Sequence, residues 1–294
     1  MACRLGRHAP DRRQHQLHRQ VTPIDAAVIA TRFVQYLALG LLFGVALFSV
    51  RTPGWQAHGL GALALIGAGV STLGFGLLVA AMSGGVPDYE LVRMIAVETP
   101  LGNATLLRIG LLLLAIPASL AGPLAVLPLA AVALATLAWS GHGAAGEGMA
   151  GWLQLGATVV HLLAGSAWAG ALLALLVMTS ARVSIARLHA AFAGFATFGT
   201  LLVIAIATTG LLNTLMLLGT DPGAWNQLYA GLLMAKVALF GVMIGVAALN
   251  RLYLTPALAQ HGGRIAIGSS LAIEGLLAIS IIAIVSWLGT LSPA

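Results

Sequence analysis

Apolar runs of about 20 residues, separated by short polar breaks, recur along the chain. Each is long enough to cross about 30 Å of hydrocarbon at about 1.5 Å per residue. Eight can be drawn: Val28–Val50, Leu60–Met82, Thr105–Ala121, Pro123–Gly141, Trp152–Thr179, Ala190–Leu218, Leu228–Leu249 and Gly268–Thr290. The narrowest break is "LAGPLAVLP", where Pro123 has no N–H to give and forbids one straight helix through the third and fourth runs. The fifth and sixth runs exceed what a bilayer needs and are expected to tilt or project. The pattern predicts an all-α, polytopic membrane helix bundle of about eight transmembrane helices. Gly40/Gly44 and Gly241/Gly245 place small residues four apart, the spacing of close helix contacts.

Composition agrees: 60% of residues are hydrophobic and 7% charged, whereas a soluble domain carries about 25% charged residues. The net charge of +6 is not a nucleic-acid footprint. Arg4, Arg7, Arg12, Arg13 and Arg19 crowd the start, and the other cations are scattered at helix ends. Residues 1–23 read as a disordered or mis-started basic leader ahead of a transmembrane domain over 24–294. The leader's His8, His15 and His18 offer a metal-binding tail as the alternative. The single cysteine, Cys3, lies there too, so the membrane body has no disulfide and no thiolate site.

Loop arginines set an orientation. Arg51, Arg182, Arg187, Arg251 and Arg264 fall on one side, and Arg93 and Arg108, read as loop positions, on the other. Both termini are therefore expected in the periplasm. Asp25, Asp88, Glu90, Glu98, Glu147 and Asp221 then form an acidic outer mouth, which raises the local cation concentration.

Polar groups inside the apolar runs are the candidates for chemistry. His161 lies about 13 Å beyond Trp152, near the midplane, and His142 at the outer end of the preceding helix. Neutral imidazole ligates copper or zinc; the competing reading is a packing hydrogen bond. Met82, Met94 and Met149 lie near the outer surface, with Met216 and Met234 in the outer half. Thioethers select Cu(I), although methionine also fills apolar cores routinely. Lys236 and Glu274 are expected to form a compensating ion pair, with a proton relay as the alternative. Asn213 and Asn250 are expected to hydrogen-bond across helices, and Trp168 to pack.

"WSGHGAAG", "VVHLLAGSAWAGALLAL", "ATTGLLNTLMLL", "LLMAKVALFGVMIGVAALNRLYLTP" and "VSWLGTLSP", in that order, resemble the CopD family of bacterial copper-resistance membrane proteins. "AAMSGG" and "ETPLGNATLLRIGLLLL" fit the same family, so the resemblance spans about Ile24–Pro293. It implies an eight-helix inner-membrane protein that moves copper between periplasm and cytoplasm beside a separate periplasmic CopC-type partner. By resemblance His142, His161, Trp168, Lys236, Asn250, Arg251 and Glu274 match family motif positions. Ala171 departs from the Gly-Gly pair that often follows the tryptophan, which puts close backbone packing there in question. The expected activity is copper permeation, with import into the cytoplasm as its direction, the copper ion as transported substrate, and no enzymatic step. Two rivals use the same residues: a haem or quinone redox protein, and a non-transporting copper sensor or assembly factor.

Overall fold

Why the chain folds as it does follows from the solvent: inside hydrocarbon every backbone N–H and C=O must be satisfied within its own segment, which leaves helices. A computed structural model describes residues 23–83, 88–140, 148–180, 183–218, 226–261 and 263–292. Eight of its helices are long and apolar enough to span a membrane, and no strand occurs among the described residues. In chain order the helices are α1 (Pro23–Arg51), α2 (Leu60–Ser83), α3 (Tyr89–Glu98), which is too short to span, α4 (Pro100–Ala121), α5 (Pro123–Ala135), α6 (Gly148–Ser180), α7 (Ile185–Leu218) and α8 (Gln227–Leu249). A 3-10 turn, Thr136–Ser140, prolongs α5, and a π-helical turn, Asn250–Leu254, links α8 to the short α9 (Thr255–His261). Finally α10 spans Arg264–Leu288.

The eight runs are all present, with corrected ends. The third span starts at Pro100 instead of Thr105, because Thr99 caps it by accepting from the Gly102 N–H at 3.0 Å and Pro100 occupies the first turn. Arg108 is consequently not a loop residue. It lies two turns inside α4, 2% exposed, and donates to Thr136 Oγ1 (2.8 Å), the Thr136 carbonyl (3.0 Å) and Ser140 Oγ (2.8 Å). Helix α3 has no counterpart among the eight runs; Asp88 caps it through the Leu91 N–H at 2.8 Å. The break at Pro123 holds, with Gly122 at φ +110° turning the chain.

Helices α1 and α6 form the centre: α1 packs on α2, α5, α6 and α10, and α6 on α1, α7 and α10. Their crossing is at Gly44 and Gly170. A Cβ on Gly44 would stand 2.0 Å from the Ser166 carbonyl oxygen, and one on Gly170 2.2 Å from the Gly44 carbonyl carbon. Close backbone packing therefore survives the Ala171 departure, with Gly170 supplying it. Gly241 and Gly245 do not pack; nothing among the described residues lies within 4 Å of a Cβ at either. Helix α8 leans on α10, helix α7 leans on α6, and the two make at most glancing contact with each other.

Candidate functional site

That gap between α7 and α8 is a cavity of about 460 Å³, walled behind by α1, α6 and α10. His161 of α6 enters it from the wall. The imidazole Nδ1 is 3.1 Å from Thr209 Oγ1 on α7, and that hydroxyl gives its only proton to the Ala205 carbonyl at 2.5 Å. A hydroxyl that donates to its own helix is placed to accept from an Nδ1–H, and in that tautomer Nε2 has the lone pair. A hydrogen bond at one ring nitrogen is what orients a histidine to ligate a metal through the other. Gly210 makes room for the ring: a Cβ there would sit 3.2 Å from His161 Cε1. One turn further out, Thr158 Oγ1, which also back-bonds to the Gln154 carbonyl at 2.8 Å, lies 3.3 Å from the side-chain amide of Asn213, the cross-helix contact expected of it. The "TVVH" and "TTGLLN" stretches thus interlock.

Lys236 of α8 lines the same cavity. The expected ion pair with Glu274 is not formed. Glu274, 2% exposed, accepts a short hydrogen bond from Asn250 Nδ2. Asn250 is fourteen residues beyond Lys236 on a continuous helical path, about 21 Å deeper, so Glu274 and Lys236 lie at different levels. Arg93 and Glu90 form an ion pair at 3.9 Å on the surface. Asn250 thereby makes its cross-helix bond, and Arg251 reaches Thr200 Oγ1 at 2.5 Å and the Ala196 carbonyl at 3.3 Å on α7.

The methionines divide between the surface and the cavity. Met82, Met94 and Met149 are exposed on α2, α3 and α6, and none lines the cavity. Met234 and Met243 do line it. Met243 was not singled out by sequence reasoning, nor was Thr209; a threonine pair inside an apolar run was the available signal for the latter. His142 lies within 141–147, outside the described residues. No group of three or more His, Cys, Asp or Glu side chains converges among the described residues. The floor of the cavity is Trp168, 5% exposed, set edge-on to Phe195 with ring centroids 6.3 Å apart. Its Nε1–H finds no acceptor among the described residues.

No solved structure matches this chain. A family model described as copper resistance protein D-like, N-terminal domain, matches residues 23–152, and one described as copper resistance protein D matches residues 189–288. A copper resistance protein D from Pseudomonas syringae pv. tomato is 36% identical over 302 aligned residues, covering 92% of this chain and 97% of that relative. The chain belongs to the copper resistance protein D family. It is a CopD-family multi-pass membrane protein, consistent with the inner membrane, and its link to copper resistance is that of the family. Arg108 falls in the first matched stretch, Thr209, Lys236, Asn250 and Glu274 in the second, and His161 and Trp168 between them.

Proposed function

We propose that this CopD-family protein is a copper permease whose intramembrane station is the His161 cavity. The observation that carries the reading is the His161 imidazole, anchored through Nδ1 to Thr209, in a cavity also lined by Met234 and Met243. One nitrogen and two soft sulfurs suit Cu(I). Lys236 opposes a resident cation, so binding is weak enough for copper to leave, as conduction requires. Copper collects at the acidic outer face, where Met82, Met94, Met149 and His142 serve as first ligands, and passes inward to His161 by ligand exchange. Trp168 against Phe195 closes the inner end of the cavity and must swing for the ion to pass. A periplasmic CopC-type protein is the fitting donor, and inward movement the fitting direction. No catalytic step is needed.

The test is copper flux into proteoliposomes with His161→Ala. Uptake should fall by at least tenfold at equal protein content. Uptake equal to wild type removes this imidazole from the route, and wild-type liposomes that carry no copper at all remove the permease.

A further inference from the structure

A second cavity, of about 310 Å³, lies at the other end of the α1–α6–α7 group. It occupies the cleft between α1 and α7, which make at most glancing contact, and its floor is Ala167 and Ala171 of α6. Two arginines guard the mouth. The Arg51 guanidinium lies 4.0 Å from the centroid of the Phe198 ring, and no hydrogen bond from its five N–H groups is recorded among the described residues. Arg187 spends one N–H on the Gly54 carbonyl at 2.8 Å. Gly54 is at φ +80°, and a Cβ on it would lie 1.9 Å from Arg187 Nη2, so the glycine is what admits this guanidinium. Below the arginines the walls turn apolar: Leu47, Phe48, Ala191 and Phe195. On the α7 side Ala190 and Gly194 are exposed, which opens the cleft sideways to lipid.

We propose that this cleft binds one anionic phospholipid of the arginine-side leaflet, its phosphate between Arg51 and Arg187 and an acyl chain along the apolar walls. Planar guanidinium forks match phosphate oxygens in pairs, and Phe198 holds one fork in place through its ring face while leaving the N–H edge free. A free phosphate would satisfy the arginines but leave the apolar half of the cavity uncovered. The lipid satisfies both. It also bridges α1 and α7, which make at most glancing contact with each other.

The experiment is the thermal midpoint of the full-length protein in neutral detergent, titrated with short-chain phosphatidylglycerol, short-chain phosphatidylcholine, or inorganic phosphate. Phosphatidylglycerol should stabilise the wild type saturably, and the other two should not. Arg51→Gln/Arg187→Gln should weaken the apparent affinity about thirtyfold, the effect of two cations at about 1 kcal/mol each. Arg93→Gln, which removes a charge on α3, should leave it unchanged. If the double variant fails to fold, Gly194→Leu takes its place: nothing lies within 4 Å of a Cβ there, so the new side chain fills the acyl seat with both arginines intact. It should lower the affinity at least fivefold. Equal effects of the two lipids on the wild type, a preference that survives loss of both arginines, or an unaltered affinity in Gly194→Leu would each overturn the proposal. A shift reproduced by inorganic phosphate alone would overturn it too, in favour of a free-anion site.

Discussion

Thr209→Val is the sharpest probe of the histidine site, because valine keeps the shape of threonine and deletes only the hydroxyl. Two hydrogen bonds disappear: His161 Nδ1–H to Oγ1 at 3.1 Å, and Oγ1–H to the Ala205 carbonyl at 2.5 Å. The carbonyl keeps its bond within α7 and loses little. The imidazole N–H is stranded, and an orphaned donor away from water costs about 1–3 kcal/mol. His161 is only half-buried toward its cavity, which favours the lower part of that range, about 1–2 kcal/mol. The ring can escape the cost only by rotating or by moving its proton to Nε2, and either spoils the ligand. At about 1.4 kcal/mol per tenfold, the copper concentration for half-maximal uptake should rise about 5–30-fold in proteoliposomes, with Thr209→Ser restoring it. Nitrogen-15 NMR of histidine-labelled protein should show the His161 resonances leaving the Nδ1–H pattern. Unchanged half-saturation together with unchanged imidazole shifts would refute the tautomer and with it the argument for a free Nε2.

Other expectations concern the scaffold. Gly44→Ala should cost about 3 kcal/mol or more in detergent melts, since a methyl 2.0 Å from the Ser166 oxygen forces α1 and α6 apart, while Gly241→Ala, opening onto free space, should be neutral or stabilising by up to about 1 kcal/mol. A double-mutant cycle on Lys236→Met and Glu274→Gln should give a coupling below about 0.5 kcal/mol; about 2 kcal/mol would restore the ion pair. Asn250→Leu should destabilise by about 1–3 kcal/mol by stranding the Glu274 carboxyl, and Glu274→Gln by less, because an acceptor oxygen remains for Asn250 Nδ2. Arg108→Met should lower stability to chemical denaturation by about 3 kcal/mol as three buried hydrogen bonds to Thr136 and Ser140 vanish, and Arg108→Lys should recover only part of it.

The candidate site was partly legible. His161 stood out because a polar ring near the midplane has to be explained, and Asn213 and Asn250 because a buried amide must find a partner. Lys236 and Glu274 were equally conspicuous, yet their pairing was misjudged: the sequence shows depth within each span, but depth counted from opposite faces does not reveal which partner each side chain meets. Arg108 was counted with the loops although it falls inside the third run, because nothing in the sequence shows that Thr136 and Ser140 of the next span take up its donors. Thr209 and Met243 carry no mark of their own among other apolar-run threonines and methionines.

Sequence alone determined the number of spans, their approximate ends and the helical class, because hydrocarbon thickness sets run length and the absence of water forces each run to close its own hydrogen bonds. Only the tertiary structure decided which face of each helix turns inward. Thr209 meets His161 while its neighbour Thr208 faces outward, and Gly44 is pressed against Gly170 while Gly241 touches nothing. In water a polar face would announce the outside of a helix. In lipid the surroundings are as apolar as the interior, so periodicity carries no such signal and packing alone makes the choice.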